Sequence, residues 1–274
     1  MTGRIDRIVV TFDSVSEDAA AIEIAVRLAA RAHVPLHGIF VEDEDLLATA
    51  NSPVARQVTF GVGTQPYTCE ALELHLRLEA GRARHELFKA AERHGVKCTF
   101  EIVRGALSVA AAQASERDLV VAAALGRPIA GHFRLECRWW SSIDSVSGPF
   151  LLAHGASRRG GTVVLWLRDH GAAAARLVDI AVEIAEAEDS SLIVVCPLDL
   201  AHSEEFKSWL SARMEGHAVT LHVEIAPVEP AALKRRIGEL GCHLLAIDPG
   251  ILEADGRQLQ DLVEDLGCDV LIVR

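Results

Sequence analysis

The sequence has no long uncharged apolar run, no concentration of positive charge and no closely spaced cysteine pair. Each of these absences removes a class of function. Half of the 274 residues are apolar, yet no apolar stretch approaches the roughly 20 residues that cross a bilayer as a helix. The first residues, MTGRIDRIVV, show none of the charged, apolar and small-residue segments of a secretory leader. Lysine and arginine number 27 against 39 acidic residues, a formal charge of −12. Such a surface repels phosphate backbones and anionic lipid, so neither a nucleic-acid nor a membrane partner is expected, and the chain reads as cytoplasmic.

Cys69, Cys98, Cys137, Cys196, Cys242 and Cys268 are scattered, with no C-x-x-C and no Cys/His ligand box. This suits small buried hydrophobes in a reducing compartment and calls for no metal. Cys242 and His243 are adjacent, but neighbours in a strand point to opposite faces and do not share a ligand. None of the 12 histidines lies in a G-x-S-x-G or H-E-x-x-H box, so no catalytic residue is assigned and the chain reads as a binder rather than an enzyme.

What is present is a repeat. The segment RIVVTFDSVSEDAAAIEIAVRLAARAHVPLHGIFV, from Arg7, aligns without a gap on VVLWLRDHGAAAARLVDIAVEIAEAEDSSLIVVCP, from Val163, and puts Asp13 on Asp169. Each copy reads as a β-rich run, a polar turn, an amphipathic helix and a second strand, a βαβ unit that implies a parallel sheet. The later parts also correspond, ending in GPFLLAHG and GCDVLIVR. Strands are expected near 7–12, 35–41, 98–103, 118–124 and 149–154, then near 163–168, 191–196, 219–225, 243–247 and 269–273. Helices are expected near 16–32, 70–94, 107–115 and 141–147, then near 171–187, 202–214, 229–240 and 255–266. The fold class is α/β: two tandem doubly wound parallel-sheet (Rossmann-like) sandwiches of five strands each, over 1–155 and a shorter 161–274. A polar, Gly-rich linker from Gly155 to Gly161 separates them. The stretch Asp45 to Thr68 has no counterpart in the second half and reads as a long loop, a lid or a partner surface. The helix after it carries Leu72, Leu74, Leu76, Leu78, Leu87 and Phe88 as apolar residues.

The strand–Asp–turn–helix of IVVTFDSVSEDAAAIEIAVRLAARA, the following LHGIFVED, Arg104-Gly105 before a helix, RDLVVAAALGR and the closing GPFLLAH together resemble the universal stress protein family. The resemblance covers nearly the whole chain as a tandem pair and implies a role in stress adaptation. Nucleotide-binding members of that family carry G-x2-G-x9-G-[ST] after the fourth strand. Counted from Gly126, the second glycine position here is Ile129, and the Gly-Ser pair is replaced by Trp139-Trp140. Gly131 is a displaced second glycine, but no register restores the last one before Gly148. Glycines let backbone N–H groups approach phosphate oxygens, and indoles fill that space.

On this reading no cofactor is required. The alternative is an adenine-nucleotide sensor that binds ATP or AMP, or slowly hydrolyses ATP, in the first half only. Its candidate binding residues are Asp13, Val41, Gly126, Arg127, Ser141 and Ser142. The resemblance sets Asp13 against adenine or ribose and Val41 against the base through its main chain. Ser141-Ser142 stands as a helix cap with exposed N–H groups. Asp13 equally suits a cap or Asx turn, and Asp169 an ion pair or turn. Arg127, Arg134 and Arg138 suit an anionic ligand or a partner's carboxylates, or balance the surrounding acids. In the second half Asp248, Glu253 and Asp255 stand where phosphate needs donors; Asp248 and Asp255 read as a turn and a helix cap rather than a metal pair. The implied partners are proteins, including a second copy, and the final strand of each half suits an interdomain or intersubunit seam.

Overall fold

The computed structural model describes residues 5–12, 19–44, 47–48, 56–59, 63–66, 69–106, 108–109, 112–123, 145–154, 161–225, 230–248 and 267–273. The strands are β1 (Arg7–Phe12), β2 (Leu36–Glu42), β3 (Arg56–Thr59), β4 (Gly63–Pro66), β5 (Cys98–Arg104), β6 (Asp118–Ala123), β7 (Phe150–Ala153), β8 (Thr162–Trp166), β9 (Ser191–Cys196), β10 (Leu221–Ile225), β11 (Cys242–Ile247) and β12 (Asp269–Ile272). The helices are α1 (Ala19–Ala32), α2 (Cys69–Arg93), α3 (Ala172–Ala187), α4 (Leu198–His202), α5 (Glu204–Met214) and α6 (Pro230–Glu239).

The central strands are short β-branched and leucine-rich runs, as burial on both faces demands. In each half they order as third, second, first, fourth, fifth, the doubly wound arrangement. The two sets are fused edge to edge into one sheet, β10-β9-β8-β11-β12-β7-β6-β1-β2-β5. Every neighbouring pair is parallel except β12 with β7, where Val270, Leu271 and Ile272 lie opposite Leu152, Leu151 and Phe150. All the residues of β7 and β12 are buried. The core on each face of the sheet draws on both halves.

The repeat extends to the helix ends. Helix α1 closes at His33 (φ 55°) and α3 at Asp189 (φ 53°), both in the left-handed region. Val34 N–H then donates to Ala29 O at 3.1 Å, and Ser190 N–H to Ala185 O at 2.9 Å. These are matching Schellman-type stops.

Several expectations change. The stretch Asp45 to Thr68 contains an antiparallel pair, β3 with β4, whose β-branched Val58, Thr59 and Thr64 favour strand. Of the helix expected over 107–115, residues 108 and 109 are helical and 112 and 113 lie in turns. The helix expected over 202–214 divides into α4 and α5 at Ser203, whose hydroxyl accepts from Phe206 N–H at 3.3 Å as an N-cap. In α2, Leu72, Leu76 and Leu87 are buried, whereas Leu74 and Leu78 are 57% and 63% exposed. Residues two apart in a helix face apart, so only one set reaches the sheet. The helix expected over 255–266 lies outside the described residues.

Polar contacts join the halves beside the shared core. Helix α1 packs against α3, and Arg27 of α1 makes a forked pair with Glu188 at 2.8 and 2.9 Å. Their side chains are only 12% and 1% exposed. Arg176 of α3 donates to the Glu116 carbonyl. His243, only 8% exposed, lies close enough for Arg27 and Glu188 to act on its charge. Its ring fills the space left by Gly161, where a Cβ would come within 2.6 Å of Nδ1. A strand irregularity between Cys242 and Leu244 turns the Cys242 side chain to the face that holds Cys268. The Cys242 thiol is pushed far up by its hydrogen bond with Cys268 and by burial. Burial pushes Cys98 and Cys196 up to about 11, so these thiols are poor nucleophiles at neutral pH.

Two outcomes follow. Replacing Arg27 with methionine leaves Glu188 buried and unpaired and is expected to lower unfolding free energy by about 3–5 kcal/mol in urea titrations, with much of the loss recovered on adding Glu188→Leu. Burial, helped by Arg27, holds the His243 imidazole below its ordinary 6.5, against the Thr162 main chain and Glu188. Protonation therefore favours the unfolded chain, and stability falls as pH drops from 6.5 through the lower folded value. His243→Leu is expected to flatten that fall in pH-dependent melting.

Candidate functional site

Open parallel sheets bind ligands at the carboxyl ends of their strands, where the strand order reverses. In the first half this lies between β1 and β6, with the end of β2 beside them. Val41, the one described residue among the candidate binding residues, sits there. The whole residue, main chain included, is only 2% exposed. The ladder of β1 with β2 runs to Phe12 opposite Phe40, and Val41 is one residue beyond it. On its far side Val41 lies opposite Val103. Asp13, Gly126, Arg127, Ser141 and Ser142 lie outside the described residues, as do Arg134, Arg138, Trp139 and Trp140.

The Arg104-Gly105 pair noted in the sequence has a structural task. Arg104 forks onto Glu42 Oε2 at 3.1 and 3.2 Å, and Gly105 N–H donates to Glu42 O at 3.0 Å. Gly105 has φ 146°, a conformation costly for any residue with a Cβ. Together they clamp the ends of β2 and β5 beside Val41. Sequence reasoning found Arg104 and Gly105 but not Glu42, whose role depends on the register of two strands.

At the other end of β6, Asp118 accepts from Arg7 at 2.6 Å and from Ser115 N–H at 2.9 Å. Burial alone would raise its pKa; the Arg7 and Ser115 bonds outweigh burial and hold the carboxyl below 3.8. This end of the sheet is structural.

The second half departs from the gapless alignment. Ile8, Val10 and Phe12 share a face of the sheet with Val163, Leu165 and Leu167, while Val9 shares the other with Val164 and Trp166. The helices, by contrast, keep the alignment: Ala21, Ile22, Ile24 and Ala25 match Leu177, Val178, Ile180 and Ala181. The turn after β8 is therefore one residue longer than the turn after β1. By strand register the residue that matches Asp13 is Arg168, and the match to Asp169 is corrected. Asp169 is exposed, and its Oδ1 accepts from Gly171 N–H at 2.8 Å, an Asx turn ahead of α3.

Val41 in turn matches Pro197, which follows Cys196 as Val41 follows Phe40. A proline has no N–H to offer a base. Helix α5 carries an aromatic cluster. Phe206 and Trp209 stack with ring centres 5.7 Å apart. His170, which follows β8, meets their edges at 6.4 and 6.0 Å. Arg213 lies over Trp209 at 5.2 Å. Asp248 follows β11, and Asp255 lies outside the described residues. Among the described residues no group of three His, Cys, Asp or Glu side chains is arranged to hold a metal ion. A cavity of about 270 Å³ lined by Arg31, Glu186, Asp189 and Ser190 opens at the amino ends of β9 and β10, away from the switch point.

No protein-family model and no curated protein matches the sequence. Solved structures do. A universal stress protein from Archaeoglobus fulgidus DSM 4304 superposes with a TM-score of 0.64 at 14% identity, covering 96% of this chain and 95% of that one. A putative universal stress protein from Pseudomonas aeruginosa UCBPP-PA14 gives 0.61 at 16% identity, covering 98% and 92%. A functionally unknown protein from Pseudomonas aeruginosa PAO1 gives 0.63 at 15%, covering 98% and 92%. The chain has the universal stress protein fold. At these identities the likeness is one of fold, and the same fold extends to the cytoplasmic domain of a prokaryotic cation chloride cotransporter, at a TM-score of 0.52 and 13% identity. Among the described residues no helix is long and apolar enough to cross a membrane.

Gly105→Ala tests the clamp at the end of β2. It is expected to lower stability by about 1–3 kcal/mol in thermal or urea unfolding, whereas the exposed Gly81→Ala, which meets nothing within 4 Å, is expected to be neutral or stabilising.

Proposed function

We propose that this chain is a cytoplasmic universal-stress-type protein that acts by binding, without turnover, in stress adaptation. ATP binding is weak or absent. The observation that carries this reading is the occupation of the second half's strand ends by the protein's own groups. Arg168 stands at the Asp13 position, Asp169 is held in its turn, Pro197 lacks an N–H, and His170, which follows β8, is held against Phe206 and Trp209. In the first half, Trp139-Trp140 replaces the residues that would meet phosphate.

A second reading has one observation in its favour: Val41 lies one residue past the β1 ladder, at the strand end beside the switch point. On that reading the first half alone senses ATP or AMP, with Asp13, Gly126, Arg127, Ser141 and Ser142 around it.

Protein purified without added nucleotide, then denatured and analysed by chromatography, is expected to release none, and calorimetric titration with ATP up to millimolar concentration is expected to give no saturating heat. Stoichiometric nucleotide would overturn the preferred reading, and one site per chain would favour the first-half sensor. The double change Trp139→Gly and Trp140→Ser is expected to create measurable ATP affinity at one site if the loop is only blocked.

A further inference from the structure

The ten-stranded sheet ends in two edges, β5 and β10. Just before β10, Thr220 O accepts from the Leu192 N–H of β9. The parallel ladder alternates, so residues 222 and 224 direct their N–H and C=O groups to β9, while 221, 223 and 225 direct theirs outward. Val223 and Ile225 are 47% and 51% exposed, and Leu198, on the helix α4 that packs along β10, is 56% exposed. An edge with outward main-chain groups and exposed apolar side chains is a template for another strand unless charge or a bulge blocks it.

We propose that β10 pairs antiparallel with β10 of a second copy of this chain, about a two-fold axis through Val223. The strand Leu221-His222-Val223-Glu224-Ile225 is self-complementary in that register. Val223 meets Val223 of the copy as a hydrogen-bonded pair, and Leu221 meets Ile225 in the same way, which extends one apolar face. On the other face His222 meets Glu224 of the copy, and Glu224 meets His222. These are non-hydrogen-bonded positions, where side chains stand closest. Glu224 is already oriented for this contact. Arg236 of α6 holds it with two bonds at 2.8 and 2.6 Å, both to Oε2, so among the described residues Oε1 is left to accept from an imidazole N–H, which a neutral histidine also supplies.

The opposite edge argues for the choice of β10. Paired over its full length with itself, β5 would set Glu101 against Glu101, a like-charge contact at the axis. The contact at β10 is one short strand and its flank, in the size class of weak, reversible association.

Sedimentation velocity of the full chain over a concentration series is expected to show a reversible monomer–dimer equilibrium. Val223→Lys places an ammonium at the axis and is expected to raise the dissociation constant at least about tenfold, with an unchanged melting temperature because the side chain is exposed. V223C in a glutathione redox buffer is expected to yield a disulfide dimer whose cross-link maps by mass spectrometry to position 223 of both chains. That mapping decides the matter even if the lysine variant folds poorly. A wild-type chain that stays monomeric into the high micromolar range, or a dimer that Val223→Lys leaves intact and that gives no cross-link at 223, would overturn the proposal.

Discussion

The antiparallel pairing of β7 with β12 is the contact on which the rest of the molecule depends. Each strand is the last of its half and presents only a few residues, yet every one of them is buried. Leu151 lies opposite Leu271, its equivalent under the internal repeat, and Phe150 opposite Ile272 is the counterpart of Leu152 opposite Val270, so a local pseudo-two-fold axis passes between Leu151 and Leu271. An antiparallel pair is the join that such an axis permits between two parallel sheets. Without it, each half would expose a largely apolar strand edge. With it, the core becomes continuous on both faces and the halves cease to be independent units.

Polar groups at the seam fit the same constraint. Asp269 is 1% exposed, and its Oδ1 accepts the His154 N–H at 2.6 Å, just where β7 ends. Arg27 and Glu188 bridge α1 and α3 across the same boundary. Buried charges of this kind are costly to separate and specify which helices meet, while the apolar strands supply the burial.

Symmetry of the frame does not extend to the strand ends. In the first half the end of β2 is clamped by Glu42, Arg104 and Gly105, leaving Val41 beside the switch point. In the second half, one extra residue after β8 moves the aspartate into a turn and leaves Arg168 in its place. Pro197 then removes the donor, and His170 packs against the aromatic side chains of α5. Sheet and helix positions are held by packing, which tolerates little change. Turns are constrained only by their ends, so there the two copies have diverged.

The sequence by itself determined the βαβ repeat, the strand positions within a few residues, the α/β class and the loss of the Gly-Ser pair. All of these are local: apolar periodicity, turn residues and motif spacing are visible along a single chain. Tertiary structure decided the fusion into one sheet, the antiparallel pair in the stretch 45–68, which leucines of α2 face the core, and that Arg168 rather than Asp169 matches Asp13. It also brought Glu42 to Arg104 and His170 to the side chains of α5. A gapless alignment scores residue identity, and two aspartates one position apart satisfy it. Only the alternation of side chains across a paired strand reveals the slip, because shifting a strand by one residue exchanges its buried face for the other.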